Sequence, residues 1–241
     1  MNNRLSVSRV LLGAFSVIWL RPQEYFHTLA IPTLLVALAW AFSTFLSFRA
    51  GSSAGFIALP FYAVAFTVFA ITCHRFILAR QSDGPNGRRL ALGQREVRFL
   101  GWLVVVYLIV GVIKGIMLTV MMNAHGVSEG PFAESPRWLM QVATIPAYYV
   151  LGRLSLVFPA TALDVHTKLV WSWRRTRKDG WRMFVVVGLF PWVIGELLGF
   201  VWREEATVVE QSMIALLWLI GLSIQIFALS FSYKELLRHV E

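Results

Sequence analysis

Apolar runs of about 20 residues, separated by short polar or basic stretches, recur along the whole chain. They predict six membrane-spanning helices, over Thr28–Phe48, Phe56–Leu78, Phe99–Met122, Trp138–Thr161, Met183–Trp202 and Ser212–Tyr233. Each is long enough to cross about 30 Å of hydrocarbon. Pro32, Pro60, Pro146, Pro159 and Pro191 fall in or near span ends. There a missing N–H matters least, or a neighbouring helix satisfies the freed carbonyl. The expected fold is all-α, one integral membrane domain over residues 1–241.

Leu5 to Leu20 is also apolar, but Arg9, Gly13 and Ser16 place a weakly polar stripe on it, and Arg21-Pro22-Gln23-Glu24 ends it early. This pattern favours an amphipathic helix in the membrane interface over a signal-like anchor. The segment has no small-residue cleavage site, so no removable signal peptide is expected. Similar surface-seeking segments precede spans three and five, at Arg88–Arg98 and Lys168–Arg182. The resulting threefold pattern, an interfacial helix and then a hairpin, has two explanations. One is internal duplication; the other is the ordinary grammar of hairpins with basic inner loops.

Charge orients this frame. The net charge of +9 comes with 57% hydrophobic residues, ten Trp and 18 Phe, a mix foreign to a nucleic-acid-binding domain. Lys and Arg concentrate in the N-terminal segment, in Arg75–Arg98, in Lys168–Arg182 and at the C-terminus. The intervening loops hold only Arg49, Arg137 and Arg203 among their cations, beside Glu129, Glu134, Glu204, Glu205 and Glu210. Short cytoplasmic loops collect Lys and Arg, so both termini are predicted to be cytoplasmic. The single cysteine, Cys73, rules out an intramolecular disulfide.

Three charges fall inside spans, where they normally face protein or water and find partners. At a rise of about 1.5 Å per residue, Lys114 lies about 22 Å and Glu196 about 20 Å from the inner ends of their spans. Lys114 sits in Gly111-Val-Ile-Lys-Gly115 and Glu196 in Gly195-Glu-Leu-Leu-Gly199, both small-xxx-small patterns that allow close helix approach. A Lys114–Glu196 ion pair between spans three and five is therefore expected, structural rather than a proton relay. Arg153 lies nearer the inner end and is expected to snorkel toward lipid phosphate, toward Asp164, or toward carbonyls freed near Pro159.

The segment Lys168–Arg182 interleaves Trp171, Trp173 and Trp181 with Arg174, Arg175, Arg177 and Lys178. A topogenic loop explains the charge but not three tryptophans. Trp beside Lys and Arg suits a helix in the headgroup layer, with Arg153, Arg174, Arg175, Arg177, Lys178 and Arg182 as phosphate contacts and the tryptophans as anchors. Membrane lipids with anionic headgroups are the expected partners, with a protein partner as a further option and nucleic acid excluded.

Signatures of catalysis are missing. His27, His74, His125, His166 and His239 show no metal-ligand spacing. Gly51-Ser-Ser-Ala-Gly55 has no strand before it, so it reads as a turn rather than a nucleophile elbow. There is no Gly-rich phosphate loop and no aspartate cluster for Mg²⁺, and no cofactor or metal is expected.

Arg153-Leu-Ser-Leu-Val-Phe-Pro159 and Ser172-Trp-Arg-Arg-Thr-Arg-Lys-Asp-Gly-Trp-Arg182 together resemble a signature of bacterial six-helix membrane proteins. That family includes the membrane domain attached to some glycerophosphoryl diester phosphodiesterases. The resemblance implies an inner-membrane location and no reaction, since the hydrolase there is a separate soluble domain. The leading expectation is a non-enzymatic module that binds lipids or a partner protein. Its alternative is a small-solute or ion transporter or channel using Lys114, Glu196 and Arg153, although the spans are otherwise poor in polar residues. A lipid-acting enzyme comes last.

Overall fold

The computed structural model describes residues 4–50, 57–79, 93–124, 137–201 and 208–238, and the statements below concern these residues. The chain begins with α1 (Val7–Leu20), a helix of 14 residues. At about 1.5 Å per residue this is too short to cross the hydrocarbon. Its Val10, Ala14 and Val17 face is buried, and Leu12, Trp19 and Leu20 point outward. Two long helices follow, α2 (Pro22–Ala50) and α3 (Leu59–Leu78), which pack as a hairpin. Pro22 opens α2 at its first position, where the missing N–H costs nothing.

Helix α4 (Gln94–Ala124) spans 31 residues and pairs with α5 (Arg137–Leu154). Of the separate surface helix expected at Arg88–Arg98, the described part from Gln94 on is continuous with α4. Arg95 and Arg98 belong to the first turns of α4 itself, and residues 88–92 lie outside the described residues. Glu96 starts this helix by accepting a hydrogen bond from the Gly93 N–H at 2.8 Å, in the manner of a capping box.

Spans four and five are each interrupted close to the basic end of the bundle, and the interruptions follow from two prolines. Pro159 would press on the carbonyl of Ser155, four residues back. The chain accordingly breaks after α5, turns at Ser155 and Leu156, and resumes as α6 (Val157–Ala162). Pro191 would press on Val187 in the same way, and a π-helical turn at Val185–Leu189 relieves it, with the Phe190 N–H bonded to the Val185 carbonyl. Between them lie α7 (Leu169–Arg175) and α8 (Gly180–Phe184); α9 (Phe190–Val201) and α10 (Val208–Arg238) complete the fold.

Six helical segments are long and apolar enough to cross a membrane: Pro22–Leu46, Leu59–Leu78, Gln94–Ala124, Leu139–Ala162, Gly180–Phe200 and Met213–Leu237. The protein is an all-α, multi-pass membrane protein, and no strand occurs among the described residues.

Lipid chains are as apolar as leucine, so burial alone does not hold such helices together; close packing and hydrogen bonds do. At Gly152 the backbones of α5 and α8 meet, and an added Cβ would lie 2.9 Å from the Met183 carbonyl carbon and the Phe184 nitrogen. At Gly188, in the π turn, an added Cβ would lie 2.8 Å from the Tyr148 Cβ. Polar bonds cross the same half of the bundle: Tyr25 Oη to Ser223 Oγ at 3.0 Å, and His74 Nδ1 to Ser230 Oγ at 2.8 Å.

The chain also closes on its own beginning. Leu5 is buried and its N–H donates to Asp179 Oδ1 at 3.1 Å, while the Ser6 N–H donates to Glu235 Oε1 at 3.3 Å. Helix α1 then runs on along α10, with Gly13 against the Phe231 ring.

Candidate functional site

The residues of the Trp- and Arg-rich segment come together at the basic end around Arg153. This arginine is 6% exposed and buried within the fold, contrary to the expectation of a snorkelling side chain. Its guanidinium is satisfied within the fold. Nε donates to Thr176 Oγ1 at 2.8 Å, one terminal nitrogen to Tyr149 Oη at 3.1 Å, and the other to the Trp173 carbonyl at 2.6 Å. Its Cζ also stands 4.1 Å from the centroid of the Trp173 ring, in cation–π contact. Asp164 is not its partner.

The break in span four explains why Arg153 is held this way. Interrupting the helix frees the carbonyls of Gly152 and Arg153, which must find donors in a dry environment. Ser155 Oγ donates to Gly152 at 3.0 Å, and Ser172 Oγ donates to Arg153 at 2.8 Å. Helix α7 is thereby sewn to the broken end of α5 from both directions, its hydroxyls onto the Arg153 carbonyl and its C-terminal carbonyl onto the Arg153 guanidinium. Gly180 completes the seat, because an added Cβ would lie 2.9 Å from both the Arg153 Cδ and the Tyr149 Oη.

Six cations were expected at lipid phosphates, and the structure divides them. Arg153 is buried. Arg175 turns inward and donates to the Leu236 carbonyl of α10, and Arg182 pairs with Asp179 at 2.8 Å. Carbonyls and a carboxylate on neighbouring elements outcompete solvent for these two. Arg174, Arg177 and Lys178 remain exposed. The tryptophans divide as well: Trp171 packs on Tyr233, Trp173 covers Arg153 while staying 39% exposed, and Trp181 is 65% exposed.

Asp164 serves a different junction. It is the one non-glycine residue with positive φ among the described residues, at 60°, a conformation Asp tolerates. It ends α6 in a Schellman turn, with Val165 N–H on the Ala160 carbonyl and Asp164 N–H on Thr161. From there its carboxylate takes Arg95 at 3.2 Å and Arg98 at 3.0 Å, fastening the start of α4.

The Lys114–Glu196 pair is not formed. Glu196 accepts a hydrogen bond from Gln141 Nε2 of α5 at 3.3 Å, and among the described residues neither Glu196 nor Lys114 enters an ion pair. The glycines flanking them are equally unused: an added Cβ at Gly111, Gly115, Gly195 or Gly199 would meet nothing within 4 Å. Helix α4 packs on α5, and α5 packs on the π turn that precedes α9, while α4 and α9 make no extensive contact with each other. Equal depth placed them at one level without making their helices neighbours.

Glu196 instead lines a cavity of about 400 Å³ bounded by α3, α4, α5, α6, the π turn, α9 and α10, where His74, Tyr107, Tyr148, Ser155 and Gln225 also bring polar groups. A second cavity of about 590 Å³, lined by Trp40, Tyr62, Leu198 and Ile214, shares Gly195 and Trp218 with the first. Among the described residues no group of His, Cys, Asp or Glu is arranged to hold a metal ion. No protein family, curated protein sequence or solved structure matches this chain.

Sequence reasoning had not singled out Tyr149, Thr176, Ser172 or Asp179, which position the Arg153 assembly. A hydroxyl or tyrosine partner leaves no charge pattern to find. The one usable signal was Ser172 and Thr176, placed one helical turn apart beside the cations.

Proposed function

We propose that the protein is a non-enzymatic module of the bacterial inner membrane, with both termini cytoplasmic, that binds anionic lipid headgroups through the face made by α7 and α8. One observation carries this reading. Arg174, Arg177 and Lys178 are exposed beside the outward rings of Trp173 and Trp181, on a platform held rigid from beneath by Arg153, Arg175 and Arg182. Aromatic rings settle at headgroup depth, and exposed cations there each gain about 1 kcal/mol from an anionic surface. The concentration of Lys and Arg at this end supports its cytoplasmic assignment, and the resemblance to membrane domains of glycerophosphoryl diester phosphodiesterases implies the inner-membrane location. A partner protein that itself presents acidic groups would use the same face.

The test is lipid retention by the Arg174→Gln/Arg177→Gln/Lys178→Gln variant in native mass spectrometry. It should lose co-purifying anionic lipid relative to wild type, and the difference should shrink as salt rises. Unchanged retention would sink the proposal. The competing reading, a transporter, draws its support from the cavity at Glu196.

A further inference from the structure

We propose that the cavity at Glu196 is a binding site for a lipophilic organic cation, with the carboxylate opposing the charge and the surrounding aromatic rings taking the apolar body.

The argument begins with the carboxylate. Glu196 lies about 20 Å from the basic end by helical rise, well inside the hydrocarbon layer. A charge at that depth requires a partner. Gln141 supplies a single hydrogen bond at 3.3 Å and no charge. Among the described residues lining this cavity there is no Lys or Arg, and Glu196 is its one carboxylate. An anionic occupant would be repelled, and a neutral one would leave the carboxylate uncompensated. A cation answers the charge.

The lining sets the rest of the chemistry. Tyr107, Tyr148, Trp192 and Trp218 line the same cavity as Glu196, and ring faces attract organic cations. Apart from those rings and a few polar groups the walls are aliphatic or phenylalanine, so small hydrated ions fit poorly. The volumes of about 400 and 590 Å³ are those of sites for drug-sized ligands. The two cavities share Gly195 and Trp218 in their linings, so a second apolar chamber lies beside the one that holds Glu196. Gly195 is open: an added Cβ would meet nothing within 4 Å.

Lys114 requires separate treatment. It follows Val110, a lining residue, by one turn of α4, but is not itself in the lining and holds no ion pair with Glu196. A ligand that is cationic gains nothing from Lys114; an anionic or zwitterionic one would.

The site is independent of the headgroup face, and its test uses different variants. Tetraphenylphosphonium and its size-matched anion tetraphenylborate are titrated onto the purified full chain in detergent, following quenching of tryptophan fluorescence. The expected result is saturable quenching by the phosphonium alone. Glu196→Gln, nearly isosteric, should weaken it at least tenfold while the melting midpoint stays unchanged. Gly195→Phe, growing into open space, should abolish it, and Lys114→Met should bind as tightly as wild type or more so. Equal binding by Glu196→Gln, preference for the borate, or loss of binding in Lys114→Met would each overturn the proposal.

Discussion

The two halves of the bundle are built by different rules. Toward the basic end, glycines bring backbones together, broken helix ends are tied by hydroxyls, and the buried arginine has all its bonds inside the fold. Toward the opposite end, Gly111, Gly115, Gly195 and Gly199 face open space and two charges stand apart. In the most apolar stretch of the α5–α6 span 61% of residues are buried, against 17% in that of α4. The same small-xxx-small spacing that would suit a tight helix crossing at Gly111 and Gly115 is left unused, while Gly152 and Gly188, in no such motif with each other, carry the real crossings. Glycine permits close approach; the neighbouring helix decides whether it happens.

The sharpest way to break this contrast is a matched pair of substitutions. Gly152→Val forces atoms against backbone that already stands 2.9 Å from a Cβ position, and should cost about 3 kcal/mol or more. Gly115→Val meets nothing and should change stability by less than about 0.5 kcal/mol. Melting midpoints in one detergent read both, and equal losses would mean the two halves are not packed differently.

A somewhat smaller effect is expected at the polar hub. Arg153→Met removes three donors and leaves the Trp173 carbonyl without its short bond, at a cost of about 2–3 kcal/mol. Arg153→Lys should recover only part of this, because an ammonium cannot reproduce the planar fork. Full recovery by Lys would show that the charge, not the geometry, matters.

The smallest expected effect is a coupling near zero. Lys114→Met and Glu196→Leu should combine additively within about 0.5 kcal/mol in a double-mutant cycle, since the two residues do not touch. A coupling well above that would place them in contact and bring the far half closer to the near one.

The six spans were legible in the sequence because each needs about 20 apolar residues, and length is read directly from the chain. Pro159 and Pro191 marked the two interruptions, although nothing in the sequence said that one would become a break and the other a π turn. The site was less legible. The depths of Lys114 and Glu196 follow from counting residues, but which helices are neighbours is a separate coordinate that one sequence does not supply. Arg153 looked like a snorkelling cation because its partners, two hydroxyls, a carbonyl and an indole, carry no opposite charge. Arg175 and Arg182 looked like their exposed neighbours Arg174 and Arg177 because, on short helices in a folded segment, adjacent residues point in different directions.

The bonds from Leu5 to Asp179 and from Ser6 to Glu235 join positions 174 and 229 residues apart. During synthesis at about 5–20 residues per second, the first helix must therefore wait on the order of ten seconds or longer for the surface that will cover it. Until α10 leaves the ribosome, α1 can reach α2 but lacks the helix it packs on most extensively. A nascent chain halted before Val208 should leave α1 open to protease, and one carried past Arg238 should protect it.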